Sequence, residues 1–335
     1  MIYHFKNLVF EGGGVKGIAY VGAMQVLEEK GILPGIQRVG GTSVGAINAL
    51  LFALGFNNNE QKKILWDLNS NNFLDASWLI PNMIRVLKRY GWYKGDYFRE
   101  WVSELIKEKT GTPTTTFRDL REAKKPDLYV YGTNLSTHFS EVFSVEHSPD
   151  MRLADAVRIS MSLPLFFTAI RNTRSDVYVD GGLLTNYPVK LFDREKYVAS
   201  DKLNTDYYEK QNANFLKEHP ESSPYVYNKE TLGFRLDSKE EIASFRYNEP
   251  QVEKIDHFFK YVRALIKTIL ESQGNTHLHG DDWQRTIYID TLGVSTTDFD
   301  LADDLKRDLE KSGRSGAEEY FKWFDNPANQ PANRP

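Results

Sequence analysis

The chain has 335 residues, contains no cysteine, and sets 42 Lys and Arg against 46 Asp and Glu for a net charge of −4. That length buries a sizeable core, as two domains or as one α/β domain. The missing cysteines exclude disulfides, thiolate catalysis and Cys-ligated zinc and fit a reducing compartment, while the charge balance gives no reason to expect a nucleic-acid partner.

In chain order, Leu8-Val9-Phe10 reads as a short buried strand and runs into Glu11-Gly-Gly-Gly-Val-Lys-Gly17. Ile18 to Lys30 carries Ile18, Val21, Met24 and Leu27 on one face and is followed by Gly31, which predicts a helix. Ile36 to Gly40 is a second strand, and Ala46 to Leu54 an apolar helix stopped by Gly55. Strand, glycine loop, helix, strand, serine turn, helix is the order of parallel strands joined by crossovers, so the fold class is α/β. Pro81 to Tyr90 reads as a helix with Arg85, Lys88 and Arg89 opposite its apolar residues. Asp96 reads as the N-cap of a helix that ends at Gly111. Leu128 to Tyr131 returns to strand, Arg152 to Met161 is helical, and Val177 to Val179 is a strand leading into Asp180-Gly181-Gly182. Phe192 to Glu230 is polar and weakly periodic and reads as a long excursion or lid. Thr231 to Leu236 and Thr286 to Ile289 read as strands, Val252 to Leu270 and Leu301 to Phe324 as helices. The Pro/Asn-rich end reads as a disordered tail.

No stretch approaches the roughly 18 apolar residues of a spanning helix. The opening MIYHFKNLVFEGGG lacks the basic start and longer apolar region of a secretory signal. The expectation is a cytoplasmic protein, soluble or peripheral on the inner face of the membrane.

Two glycine motifs carry the chemistry. Gly41-Thr-Ser43-Val-Gly45 has the G-x-S-x-G form of a nucleophile elbow, although a serine between glycines is also a common tight turn. Gly12-Gly-Gly-Val-Lys-Gly17 satisfies G-x-G-x-x-G after a strand and before a helix, the setting of a dinucleotide fingerprint. The fingerprint also wants an acid at the end of the second strand, and here that strand ends in Val39-Gly-Gly-Thr-Ser43; Glu28 and Glu29 come too early. The same glycines suit another use: bare backbone N–H groups at a helix N-terminus, at the edge where Ser43 lies, favour an anion. For the proton acceptor, His277 or His279 would suit an α/β-hydrolase order, yet that fold puts several strands before its elbow. Asp180, at the end of an apolar strand and followed by two glycines, is the better candidate; its plain alternative is a turn aspartate. Asp298, Asp300, Asp303 and Asp304 lack the Gly and terminal Glu of a calcium loop and read as helix-capping residues, so neither a metal nor a cofactor is expected.

GGGVKG at 12–17, GTSVG at 41–45 and DGG at 180–182, in this order, resemble the patatin-like phospholipase family. So do Tyr93 to Trp101, Ala154 to Pro164, Asn186-Tyr-Pro188, Thr231 to Asp237 and Thr296 to Asp300. The resemblance implies a three-layer α/β/α fold with a mostly parallel central sheet, so the chain divides into a catalytic core at 5–195 and C-terminal helices and strands packed on it at 196–325; the composition adds the lid excursion at 192–230 and the disordered tail at 326–335. The resemblance also implies a Ser–Asp dyad of Ser43 and Asp180. Gly13 and Gly14 would be oxyanion donors, Gly12 would shape their loop and Lys16 would stand beside it. Gly17, Gly41, Gly45, Gly181 and Gly182 complete the motifs. Glu11 departs from the commoner Asp. The implied activity is hydrolysis of acyl esters of membrane phospholipid or lysophospholipid. A catalytically idle binding or regulatory relative, or a nucleotide-binding protein, is the alternative. Leu163, Leu165, Phe166 and Phe167 would line an apolar cleft. Arg85, Lys88, Arg89 and Lys94 near Trp78, Trp92 and Tyr93 would suit peripheral contact with an anionic membrane.

Overall fold

The computed structural model describes residues 3–67, 85–198, 203–237, 281–296, 298 and 301–334, with residues 255–256, 260–261, 264–265 and 268–269. Its first half follows the expected alternation. Strand β1 (Asn7–Phe10) leads through a 3-10 turn to helix α1 (Ala19–Glu29), then to β2 (Arg38–Gly41), α2 (Val44–Leu54) and α3 (Asn58–Trp66). Gly55 ends α2 in the left-handed region. Helix α3 opens with a capping box between Asn57 and Glu60, a signal the hydrophobic pattern does not carry. Next come β3 (Gly91–Tyr93), α4 (Asp96–Thr110), α5 (Phe117–Glu122), β4 (Asp127–Asn134), β5 (Phe139–Ser144), α6 (Leu153–Ser160), β6 (Leu165–Phe167), β7 (Ile170–Arg171) and β8 (Val177–Asp180). Helix α7 (Asp206–Glu218), β9 (Thr231–Asp237), β10 (Thr286–Asp290) and α8 (Asp303–Phe324) follow.

The central sheet is mostly parallel, in the order β10-β9-β1-β2-β4-β8-β7, with β5 also on β4. Strands β10, β9, β1, β2 and β4 run parallel, whereas β5 and β8 are antiparallel to β4 and β7 is antiparallel to β8. Two strands from beyond residue 195 thus extend the sheet on the β1 side. The register around β4 decides the site. Strand β5 takes one edge of β4 over 129–134. The other edge is shared by β2, at Asp127 to Val130, and β8, at Gly132 to Asn134. Because β8 is antiparallel, β2 and β8 run head to head along that edge, and their C-terminal ends meet at Val130 and Gly132.

Leu8, Phe10, Val39, Val130, Phe234 and Ile289 join α1, α2, α6 and α8 in the main core. Val9, Tyr129, Phe192 and Tyr197 form a second cluster beneath the segment that follows β8. Three expectations are corrected. The N-cap of α4 is Gly95 in the left-handed region, not Asp96, which stands one residue inside; a Cβ at Gly95 would lie 2.4 Å from Arg158 Nη2. The tail is not disordered over 326–334. Asn329 donates to the Trp323 carbonyl, and buried Asn333 donates to the Tyr320 hydroxyl at 3.0 Å. Its asparagines satisfy polar groups at the end of α8, which apolar patterning does not reveal. Asp303 and Asp304 do not cap α8, whose N-cap is Ala302; they sit in its first turn, where acids complement the helix dipole. The expected helix over 252–270, Trp78 and Asp300 fall largely or wholly outside the described residues.

Candidate active site

Ser43 occupies the N-cap position of α2, yet its backbone (φ 54, ψ −126) is not that of a cap and its side chain makes no capping bond. Ser43 therefore does not serve as a helix cap. A non-glycine residue in this region is strained by roughly 1–3 kcal/mol and persists only where its surroundings hold it. They do. The Ser43 N–H donates to Ser160 Oγ at 2.9 Å. A Cβ at Gly41 would lie 2.4 Å from the Gly45 carbonyl, and one at Gly45 would lie 2.4 Å from the Phe10 carbonyl, so the sharp turn admits no side chain at either glycine. The hydroxyl is left pointing at Met161 Sδ, 3.5 Å away, a weak acceptor.

Asp180 reaches this turn along β4. It pairs with Gly132, two residues beyond the partner of Gly41, and its N–H donates to the Ser162 carbonyl at 2.9 Å. One carboxylate oxygen does what a turn aspartate does: Oδ1 accepts from the Gly182 N–H at 2.7 Å. Gly181 and Gly182 form the 3-10 turn after it, and a Cβ at Gly181 would lie 2.5 Å from the Tyr131 carbonyl. The other oxygen, Oδ2, is buried with no hydrogen-bond partner. Burial pushes the Asp180 pKa up to about 7, against the opposing pull of the Gly182 N–H and the neighbouring Ser43 hydroxyl. Ser43 and Asp180 are adjacent, and the serine hydroxyl lies within reach of both the Asp180 carboxyl and Met161 Sδ. Among the described residues no histidine is hydrogen-bonded to Ser43; His277 and His279 lie outside them.

The glycine loop crosses the serine. A Cβ at Gly12 would lie 2.5 Å from Asn186 Oδ1 and 3.2 Å from Ser43 Cβ. Gly12 donates its N–H to the Asn186 carbonyl, whereas the N–H groups of Gly13 and Gly14, at the start of the 3-10 turn, make no hydrogen bond among the described residues. Gly14 is left-handed (φ 57) and lies under the Thr296 carbonyl; Gly17 packs on Val44. Lys16 is buried beside the loop without an ion pair among the described residues. Glu11, which departs from the commoner Asp of the motif, is a strut. Its buried carboxylate accepts from the Leu236 N–H at 2.7 Å and from Asn186 Nδ2 at 3.2 Å, tying the loop to β9 and to the chain after Asp180. Burial is also the main cause that lifts its pKa to about 7, partly offset by the Arg235 guanidinium.

The Ser160-Met161-Ser162 segment is the other feature the motifs did not assign: it touches Ser43 twice and Asp180 once. Arg158, buried one turn earlier, donates to Ser162 Oγ and to the carbonyls of Lys94, Gly95 and Thr168, fixing this segment to the β3–α4 loop. From Met161 an apolar wall continues through half-buried Leu163 and Phe166, whose ring lies 5.2 Å from Tyr93; Phe167 belongs to the core. Arg85 is not on the surface as expected. It is buried and donates to the Trp92 carbonyl at 2.5 Å, while Leu87, Lys88, Arg89, Tyr90 and Lys94 are exposed.

The chain's likeness to known proteins agrees with this arrangement of α/β sheet, serine turn and glycine loop. Residues 8–193 match the family described as Patatin-like phospholipase. Over 330 residues the chain is 30% identical to the uncharacterized protein YqhO of Bacillus subtilis, covering 94% of this chain and 98% of that one. It is 23% identical over 188 residues to the probable lipid hydrolase 463L of Invertebrate iridescent virus 6, covering 56% and 63%. In fold it is similar to VipD from Legionella pneumophila, with a TM-score of 0.57, 18% identity, and coverage of 95% of this chain and 67% of that one. The chain belongs to the patatin-like phospholipase family. It is an enzyme of the phospholipase and esterase class.

Proposed function

We propose that the chain hydrolyses acyl esters of membrane phospholipids or lysophospholipids with a Ser43–Asp180 dyad. The observation that carries this reading is the pairing of a strained, uncapped serine with a buried carboxylate oxygen that has no partner. Rotation of Ser43 Oγ from Met161 towards Asp180 Oδ2 makes the hydrogen bond a general base requires. As Oγ attacks the ester carbonyl, its proton passes to Asp180 and the carbonyl oxygen becomes an oxyanion. The free N–H groups of Gly13 and Gly14 receive that charge, and a donor so placed is worth roughly 2.7–4 kcal/mol of barrier. Collapse of the tetrahedral intermediate expels the lipid alcohol, which takes the proton from Asp180, and leaves acyl-Ser43. Water, deprotonated by Asp180, then releases the fatty acid and restores Oγ–H. A dry carboxylate with a pKa near 7 is a stronger base than an ordinary aspartate and is still largely ionised just above neutrality.

The wall from Met161 through Leu163 to Phe166 suits the acyl chain. Exposed Leu87 and Tyr90 beside Lys88, Arg89 and Lys94 suit peripheral docking on an anionic surface. No helix of the described residues is long and apolar enough to cross a membrane. The test is labelling with a fluorophosphonate followed by mass spectrometry of the adduct. One adduct on Ser43, absent from Ser43→Ala, is expected; no adduct on the folded protein would favour a catalytically idle binding protein.

A further inference from the structure

On the other face of the sheet from the main core, under the segment that follows β8, lies a half-open cavity of about 660 Å³. Tyr129, Tyr131 and Val142 on β4 and β5 form its floor, and its walls come from Lys190, Leu191, Arg194, Lys196 and Tyr197 and from Ser222, Ser223 and Tyr225. Its lining is cationic, with Lys190, Arg194 and Lys196 and no Asp or Glu. The three cations differ. Lys190 pairs with Asp282 at 3.4 Å, and Lys196 pairs with Glu146 at 2.5 Å. Arg194 has no carboxylate partner among the described residues. It lies 3.8 Å from the centroid of the Tyr225 ring and 4.4 Å from that of Phe215. One hydrogen bond, from Nη1 to the Ser223 carbonyl at 2.7 Å, uses one of its five N–H donors. A half-buried, aromatic-backed guanidinium with unused donors is fitted to an oxyanion, because its planar fork matches phosphate or carboxylate oxygens. Two neutral donors share the cavity: the hydroxyls of Tyr131 and Ser222 make no hydrogen bond among the described residues.

We propose that this cavity binds a small phosphate monoester, with the Arg194 guanidinium on the phosphate and the hydroxyls of Tyr131 and Ser222 completing its hydrogen bonds. One guanidinium and two hydroxyls match a group with three terminal oxygens better than a carboxylate with two. The volume exceeds what inorganic phosphate fills, so the rest of the ligand also lies within the walls. The site is separate from Ser43, although its floor touches the chain after Asp180. The Tyr131 carbonyl lies under Gly181, and Ser140 Oγ bonds Thr185 Oγ1 at 3.0 Å.

The test is calorimetric titration of the full chain with AMP, glucose 6-phosphate and inorganic phosphate. At least one ester is expected to bind, more tightly than inorganic phosphate; the better ester separates a nucleotide source from a sugar phosphate. Arg194→Gln should weaken that ester about tenfold or more, the loss expected for a charged hydrogen bond. Ser43→Ala should bind it unchanged, which keeps this result independent of the hydrolytic reading. If melting curves show that Arg194→Gln does not fold, Tyr131→Phe combined with Ser222→Ala takes its place, with a loss of several-fold expected. Failure of both esters to bind, binding no tighter than that of inorganic phosphate, or undiminished binding by the folded variants would overturn the proposal.

Discussion

The serine side and the aspartate side of the candidate site are held by different physics. Ser43 is fixed mainly by nearby chain, through glycines whose missing side chains let β1, β2 and α2 close on each other, with one distant bond from its N–H to Ser160 Oγ. Asp180 arrives from far along the chain on an antiparallel strand. It is fixed by the Gly182 N–H donating to its Oδ1, by its own N–H donating to the Ser162 carbonyl, and by its place on β4. Steric exclusion is local and cannot be relaxed without moving backbone. The aspartate side depends instead on hydrogen bonds and on strand pairing with β4, a partner about forty-five residues earlier in the chain. The Ser160-Met161-Ser162 segment joins the two sides, and Glu11 and Asn186 join the glycine loop to the chain after Asp180.

The largest effect tests whether the two sides act as one unit. Ser43→Ala and Asp180→Asn should each lower turnover of a soluble ester by at least about 10⁴-fold, and the double variant should be little worse than either. Steady-state kinetics decide it; additive losses would separate the pair. Gly12→Ala comes next. Its Cβ meets Asn186 Oδ1 and crowds Ser43, and a displacement on the order of 1 Å at reacting atoms lowers kcat about 10²-fold. Unchanged kcat would show that the glycine loop does not set the serine position. Ser160→Ala leaves the Ser43 N–H without its acceptor and should destabilise the protein by about 1–3 kcal/mol in denaturant titration, with a smaller loss of kcat than Gly12→Ala. Lys16→Ala should have the smallest effect, because the backbone donors of Gly13 and Gly14 remain; a loss equal to that of Ser43→Ala would contradict this.

The pH dependence sharpens the same contrast. As the proposed base, Asp180 must be ionised, so kcat/KM should fall as pH drops through about 7. Stability moves the other way. An acid whose pKa is raised by folding is protonated in the native state while its unfolded form ionises above about 4. The native state is therefore favoured below that value, and stability is lost as pH rises towards about 7, on the order of 4 kcal/mol for Asp180. Denaturant titrations at pH 4 and pH 8 should show a smaller decline in Asp180→Asn than in the unsubstituted protein. Glu11, lifted to about 7 as well, falls in the same window. Glu11→Gln should reduce the decline in stability yet keep the acid limb of kcat/KM, since its carboxylate positions the loop and exchanges no proton with substrate.

The alternation of strands and crossover helices through residue 54 was legible in the sequence because apolar spacing and terminal glycines are local signals. Short-range polar signals were passed over: the capping boxes at Asn57 and Thr116, and the asparagines that anchor the tail, act one hydrogen bond at a time and leave no apolar period. The candidate site divides in the same way. The motifs alone point to Ser43, Asp180 and the glycines as candidates. The route by which Asp180 comes to the serine was not legible. An apolar strand ending in Asp180 does not reveal that β8 runs antiparallel and meets β2 head to head on β4. Nor did the sequence assign roles to Glu11, Ser160, Met161, Ser162 or Asn186, whose partners at the site lie from 18 to 225 residues away. What the sequence by itself determined is the chain's local stereochemistry, where a turn must be glycine and where an apolar face must be buried, because those constraints act between near neighbours. The tertiary structure decided which buried polar atoms found partners and which, like Asp180 Oδ2, did not, because desolvation and long-range hydrogen bonding exist only once distant segments have packed.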